Sequence, residues 1–452
     1  MNTIAAISTP IGQGGIGIVR ISGEKALEIV KKVFKTKKEI NEFKSYTMKH
    51  GYIVDNDEVL DEVLVSYFKA PNSYTGEDTC EINCHGGNVV VKRVLELVLQ
   101  NGAILAEPGE FTKRAFLNGK MDLSQAEAVI DVINSKSAKE NKISMNHLEG
   151  YLGRKIKEIK ADLIDILVDI EANIDYPEYD VEEVRRVNIN NILEASVEKL
   201  SKLEKTFDEG KILKEGINTV IVGRPNVGKS SLLNALLKEE RAIVTDVAGT
   251  TRDTIEESLT IKGIPIKIVD TAGIRETEDL VEGIGVEKSK KALENADLVL
   301  MVLDATSPIT EEDKILLESI KAKNYIVLIN KIDCGNEINK EELNVDMENV
   351  VEISAKTEFG LELLEEKIEN LFNLHKIDVE NEIILTNVRH KNAVASAKAK
   401  IESVIESNKM YVPVDMLSID LQNAVQHLGE ITGETVTEDV INGIFKKFCL
   451  GK

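Results

Sequence analysis

The spacing of apolar residues changes character three times along the chain. From residue 1 to about 118 the apolar runs are short and alternate with polar positions, the period of half-buried strands. Thr3–Ser8 and Ile16–Ile21 read as strands on either side of the turn Pro10-Ile11-Gly12-Gln13-Gly14-Gly15, and Ser22 opens a predicted helix through Phe34. Tyr46–Val54 and Val59–Phe68 form a predicted antiparallel pair around Asp55-Asn56-Asp57. Thr79–Cys84 is a further strand, and it enters His85-Gly86-Gly87 and the helix Val89–Leu99. These elements predict an α+β domain with its own core. Gly14-Gly15-x-Gly17 resembles a phosphate loop only loosely: no lysine or serine follows at the needed offset and a strand comes next, so a turn is the expectation.

From 119 to 215 the apolar period lengthens to three and four residues. Asp122 and Gln125 have the spacing of a capping box before the helix Leu123–Ile133. A long helical stretch is expected from Ser137 to about Ile174, with Leu152, Ile156, Ile159, Leu163, Ile166, Leu167 and Ile170 on one face. A second runs from Val181 to about Leu213, beyond the break at Pro177. Residues 216–376 alternate β-branched runs with helical segments, and residues 377–452 turn helical again over Asn387–Asn408, Val414–Gly429 and Glu438–Phe448. The helical pieces 119–215 and 377–452 each carry a one-sided apolar stripe that needs a partner. The predicted architecture is therefore multidomain, α+β and α/β: an N-terminal α+β domain (1–118), one all-α domain in two parts, and an α/β domain (216–376) inserted between them.

A chain of 452 residues with a net charge of −22 is not a bulk polyanion binder, so any nucleic acid contact is local or supplied by a partner. Aromatic residues make up 4% and tryptophan is absent, which argues against a base-stacking platform. The four cysteines (Cys80, Cys84, Cys334, Cys449) are sparse, as in a reducing compartment. Cys80 and Cys84, with His85 beside them, could be a metal pair, but in a strand Cys80, Ile82 and Cys84 share one face and no second ligand pair has zinc spacing. No basic leader opens the chain and no apolar run approaches about 18 residues, so a soluble, cytoplasmic protein without membrane partners is expected.

The chemistry concentrates in four loops, each just past an apolar run. Gly223-Arg224-Pro225-Asn226-Val227-Gly228-Lys229-Ser230 follows Thr219–Val222 and precedes the helix Ser231–Leu237. This G-x-x-x-x-G-K-S spacing curls backbone N–H groups of Asn226, Val227, Gly228, Lys229, Ser230 and Ser231 around phosphates, with Lys229 on the β/γ-phosphates and the Ser230 hydroxyl on Mg²⁺. Asp270-Thr271-Ala272-Gly273 follows Ile266–Val269; Asp270 suits Mg²⁺ through water and the Gly273 N–H suits the γ-phosphate. Asn330-Lys331-Ile332-Asp333 follows Tyr325–Ile329, and Ser354-Ala355-Lys356 follows Val350–Ile353. The Asp333 carboxylate can accept from guanine N1–H and the 2-amino group, which adenine lacks. The expected nucleotide is GTP. Thr245, Asp246, Val247, Ala248, Gly249, Thr250 and Thr251 lie in the segment that a γ-phosphate and its Mg²⁺ would order, Thr251 being a Mg²⁺ candidate. After Gly273 stands Ile274, where many GTPases have a glutamine that orients water. A cation near the β–γ bridge, held by Asn226 and carbonyls between Thr245 and Thr250, would compensate. Asparagine also suits the turn itself.

The loop 223–230, Gly249-Thr250-Thr251-Arg252-Asp253 and Asp270-Thr271-Ala272-Gly273-Ile274-Arg275 resemble the Era-like GTPases. Four further stretches resemble the MnmE (TrmE) family of tRNA modification GTPases over the full chain. They are Ile4-Ala5-Ala6-Ile7-Ser8-Thr9-Pro10, Gly109–Lys120 (GEFTKRAFLNGK), Asp122–Ala128 (DLSQAEA) and the terminal Phe448-Cys449-Leu450-Gly451-Lys452. The resemblance implies a tetrahydrofolate-binding N-terminal domain that dimerises, and a flavin- and NADH-dependent partner, MnmG (GidA), in a heterotetramer. It implies that together they add a carboxymethylaminomethyl or aminomethyl group to carbon 5 of the wobble uridine of certain tRNAs. The one-carbon unit would come from a 5-formyl- or 5,10-methylene-tetrahydrofolate at Arg20, Glu77, Lys120 and Lys452. The family further implies K⁺ at Asn226, Thr245, Val247 and Thr250, with Glu282 orienting the attacking water and Lys229 and Thr251 completing the catalytic set. Cys449 is either a thiol for chemistry or a buried hydrophobe. The rival reading is an Era-like ribosome-assembly switch without modification chemistry; it expects a basic RNA-binding module, which the chain lacks. A stand-alone folate-dependent methyltransferase would leave the GTP loops unexplained.

Overall fold

In a computed structural model, residues 2–37, 42–175, 182–239, 257–268, 293–372 and 382–452 are described. Their contacts divide the chain into two units: Met1–Asn134 with Ser144–Lys199 and Ala393–Lys452, and Ser135–Ile143 with Leu200–Asn392.

The first unit contains a seven-stranded sheet built from β1 (Ile4–Ile7), β2 (Gly17–Ser22), β3 (Phe34–Lys35), β4 (Thr47–Asp55), β5 (Glu58–Phe68), β6 (Thr79–Cys84) and β7 (Ile104–Leu105). Their order is β3-β4-β5-β6-β2-β1-β7, antiparallel except for β1 against β7. Alternation decides the two faces. Ala5, Val19, Ile21, Cys80, Ile82 and Cys84 point into a core closed by the helices Ala26–Val33 and Asn88–Gln100. Cys80 and Cys84 thus serve as core residues; burial raises both thiols, that of Cys84 to about 11. Ile4 and Ala6 face the other way, against Phe111 and Tyr74.

Ser22 does not open the first helix. It ends β2 opposite Thr79, its hydroxyl donates to Glu77 at 2.8 Å and shares a hydrogen bond with Thr75, and the helix starts at Ala26. The Asp122–Gln125 capping box is present in both directions, each bond 3.0 Å, at the start of the helix Leu123–Asn134. The long stretch expected from Ser137 is broken at Gly150 (φ +81°) into Ala138–Leu148 and Tyr151–Asp175. Val414–Thr432 packs along the second of these, and Leu123, Ala126 and Val129 meet Ile441, Phe445 and Phe448 of the C-terminal segment.

The second unit holds a six-stranded sheet of β8 (Ile217–Val222), β9 (Glu257–Ile261), β10 (Ile264–Ile268), β11 (Leu298–Asp304), β12 (Tyr325–Asn330) and β13 (Val350–Glu352), ordered β13-β12-β11-β8-β10-β9. All pairs are parallel except β9 with β10. Continuous apolar runs such as Leu298–Leu303 are buried on both faces, as a parallel sheet requires. The second expected long helix ends at Lys205, and Phe207–Glu215 forms a separate one. That short helix belongs with this sheet rather than with the other helices. Leu213 packs beside Ile217, the Thr206 hydroxyl accepts from Leu385 N–H at 3.0 Å, and a Cβ at Gly210 would lie 2.2 Å from the Leu385 carbonyl. Residues 200–215 and 382–392 therefore join the unit expected to span 216–376. Among the described residues no helix is long and apolar enough to cross a membrane.

Candidate functional site

The strands β8, β12 and β13 end on one side of the second sheet, where an open α/β fold gathers its ligands. The loop after β8 bends through Gly223 (φ +147°), Asn226 (φ +63°) and Gly228 (φ +100°). Side chains at the two glycines are barred by space as well as by φ: a Cβ at Gly223 would lie 2.3 Å from the Val302 carbonyl, and one at Gly228 2.3 Å from Asn330 Nδ2. Asn226 is the non-glycine residue that best tolerates this region. Lys229 then opens the helix Lys229–Glu239, with Ser230 and Ser231 in its first turn.

Lys229 Nζ donates to the carbonyls of Gly223 and Arg224 at 2.7 and 2.8 Å. Burial holds its ammonium below the usual lysine range. A half-buried cation that donates to two carbonyls is suited to an incoming phosphate, whose charge would reverse that shift.

The loop that begins at Asn330 is bolted to the loop 223–230. Asn330, 2% exposed, donates to the Val227 carbonyl at 2.8 Å and accepts from the Ala355 N–H at 3.0 Å, joining three of the predicted loops. Lys331 (φ +69°) donates to the Asn226 carbonyl at 2.7 Å and pairs with Asp304 at 2.6 Å. Burial opposes the Asp304 charge, but hydrogen bonds from Lys331 and Thr306 win, and its carboxyl sits below the usual range. Asp333 is exposed; one oxygen accepts from the Ser354 hydroxyl at 2.7 Å, a bond that, with Lys356 nearby, keeps it ionised and leaves it facing outward as an acceptor. Thr245, Asp246, Val247, Ala248, Gly249, Thr250, Thr251, Asp270, Thr271, Ala272, Gly273 and Glu282 lie outside the described residues.

The first unit holds a second cluster. Arg20 on β2 pairs with Glu81 on β6 at 2.9 Å and lies over the rings of Tyr74 and Phe111. The C-terminal tail reaches the same region. The Ser8 hydroxyl donates to the Gly451 carbonyl at 3.0 Å across 443 positions, and Gly451 (φ +91°) sits so tightly that a Cβ would lie 2.2 Å from the Ile7 carbonyl. Burial, then the charge of Arg20, lowers the Lys452 ammonium, with Glu81 opposing. Glu77 accepts from Ser22 and from Arg114, and Lys120 Nζ donates to the Pro71 carbonyl at 3.1 Å. Cys449 is exposed, which removes the buried-hydrophobe reading. Motif reading did not identify Glu81, Arg114 or Asp304 as partners; period-two pairing of β2 with β6 is the one signal that could have placed Glu81 opposite Arg20.

A family model described as the MnmE helical domain matches residues 123–449, and one described as the GTP-binding protein TrmE N-terminus matches residues 3–120. The chain belongs to the MnmE family. The tRNA modification GTPase MnmE of Acetivibrio thermocellus is 52% identical over 455 residues, spanning 100% of this chain and 99% of that one. The corresponding MnmE of Thermoanaerobacter pseudethanolicus is 53% identical over 457 residues with the same coverage. Among solved structures, the G domain of the T. maritima FeoB iron transporter is 32% identical, covering 34% of this chain and 96% of that one, with a TM-score of 0.26. The MnmE helical match begins just after the N-terminal match ends and runs through the whole of the second sheet.

Proposed function

We propose that the chain is a GTP hydrolase of tRNA modification that works on the wobble uridine with a flavoprotein partner of the MnmG type, as a homodimer through its N-terminal domain within a heterotetramer, in the cytoplasm. The observation that carries the reading is the joining of the phosphate loop, the Asn330–Asp333 loop and the Ser354–Lys356 loop through the Asn330 side chain. That joining supports the reading, because the Asp333 carboxylate and the Lys229 ammonium then sit on loops held to one another.

Within this reading Lys229 draws charge from the β/γ-phosphates as the bond to the leaving oxygen lengthens. Asp333 selects guanine. Ser230 and Thr251 would hold Mg²⁺, which neutralises phosphate charge when bound. Asn226, with Thr245, Val247 and Thr250, would hold K⁺, which supplies positive charge near the β–γ bridge. Glu282 orients the attacking water in place of the glutamine that Ile274 replaces.

The N-terminal cluster would suit a folate: Arg20 pairs with Glu81, the charges of both are felt by Lys452, and either cation can meet a carboxylate of the ligand. Glu77 suits pterin N–H donors, and Lys120 suits the folate tail. A tetrahydrofolate derivative bound there would supply a one-carbon unit, while this chain orients it beside the Cys449–Lys452 tail. The proposal is tested by mass spectrometry of wobble uridine in tRNA incubated with the chain, the flavoprotein, NADH, GTP, an amine donor (ammonium or glycine) and a labelled methylene-tetrahydrofolate. Label at carbon 5 of the base supports it; unmodified uridine under conditions in which GTP is turned over contradicts it.

A further inference from the structure

The phosphate loop carries a second cation that the reading above leaves unused. The Arg224 guanidinium turns away from the loop, Nε donating to Asp313 at 2.9 Å and Nη2 to the Ser307 hydroxyl at 3.3 Å. The Asp313 side chain is only 1% exposed. Its carboxylate also accepts from the Thr310 N–H and hydroxyl at 3.0 and 2.8 Å, completing a capping box on the helix Glu311–Ile320. A carboxylate withdrawn this far from water needs partners for its oxygens, and Arg224 supplies the charged one.

The backbone of Arg224 has a separate task. Its carbonyl is one of the two that grip the Lys229 ammonium. One residue therefore joins the rigid start of a helix to the ammonium that meets the phosphates. The neighbouring turn adds a parallel restraint, because Asp304, at the end of β11, holds Lys331 of the base loop. The single connection 304–313 thus anchors both nucleotide-facing loops through one carboxylate each.

We propose that Asp313 and Arg224 are positioning residues for phosphoryl transfer: the buried carboxylate fixes the guanidinium, the guanidinium fixes the Arg224 carbonyl, and that carbonyl aims Lys229. The inference rests on reading residues 223–230 as the GTP loop. The competing role is local: Asp313 merely starts its helix. Capping needs Thr310 and Asp313, whereas positioning needs Arg224 and Asp313, so the two roles separate by mutation.

The test compares Arg224→Ala, Arg224→Lys, Thr310→Ala and Lys229→Ala in the full chain, measuring thermal midpoint, binding of fluorescent GTP and GDP, and turnover with Mg²⁺ and K⁺. Arg224→Ala should raise both dissociation constants about tenfold and lower kcat by a similar factor, because a displaced ammonium loses its hold on the bound phosphates and loses more still as charge builds on them in the transition state. Arg224→Lys, which keeps the charge but loses the planar fork, should recover part of both. Thr310→Ala should lower the midpoint while affinity and kcat stay within about twofold. If Arg224→Ala binds and turns over GTP like the unmodified chain, or Thr310→Ala loses as much affinity as Arg224→Ala, the pair is a helix cap and the proposal is overturned. Should Arg224→Ala not fold, Arg224→Lys carries the comparison in the same direction. Failure of the loop reading looks different: the unmodified chain would not bind GTP, or Lys229→Ala would bind and cleave it normally.

Discussion

Asn330 Nδ2 donates to the Val227 carbonyl at 2.8 Å, so the residue that opens the loop proposed to read the base is also a strut of the loop 223–230. Its other amide atom accepts from Ala355, and both bonds are buried. Asn330→Ala leaves a carbonyl and an N–H unsatisfied, each costing about 1–3 kcal/mol. Guanine nucleotide affinity should fall by at least about tenfold, and the thermal midpoint of the unit should drop, as calorimetry with and without GDP would record.

Asp333 offers two acceptor oxygens and no donor, with one oxygen already steadied by Ser354. Asp333→Asn converts one acceptor into a donor. It should weaken GTP by at least about 100-fold and favour xanthosine triphosphate, whose C2 carbonyl replaces the guanine 2-amino group. Competition binding among GTP, ATP and xanthosine triphosphate checks this; unchanged preference would mean that Asp333 does not face the base.

The Asp304–Lys331 pair predicts an acid dependence. Because the folded carboxyl lies below its unfolded value, its contribution is complete above about pH 5 and disappears as pH falls through the folded value. Asp304→Asn should lower stability near neutral pH and flatten its decline between about pH 5 and 3. Thermal midpoints measured across that range read the difference directly.

Gly451 holds the C-terminal tail against β1 in a conformation that L side chains avoid. Gly451→Ala would meet both the strain of φ +91° and a carbonyl 2.2 Å away, so the tail should leave and take Lys452 with it. Binding of 5-formyltetrahydrofolate, followed by calorimetry, should weaken by about tenfold while GTP turnover changes by less than twofold.

Repeating local signals were legible along the chain. Thr79–Cys84 has the same limits in structure as in pattern, and the Asp122–Gln125 box is where its spacing places it. Apolar periodicity did not foresee the breaks at Gly150 and Thr206, since a helical stripe continues in register across a short interruption. Ser22 has the identity of a cap but the pairing of a strand end, and its hydroxyl is claimed by Glu77 from a distant loop. The loops 223–230, 330–333 and 354–356 were legible as candidates because each is a contiguous motif, and the structure joins them through Asn330. Their supports were not: Asp313 lies 89 positions from Arg224, and nothing in the identity of an aspartate says which cation it will meet. The tail lying on β1 is non-local in the same way.

The most direct measurement is the turnover of GTP and of ATP by the full chain with Mg²⁺, in matched KCl and NaCl. The account predicts GTP cleavage with little ATP cleavage, and a rate in KCl more than about tenfold that in NaCl, with Asn226→Gly, which keeps the φ +63° turn but removes the amide, losing the difference. Equal rates in the two salts, or ATP consumed as readily as GTP, would contradict it.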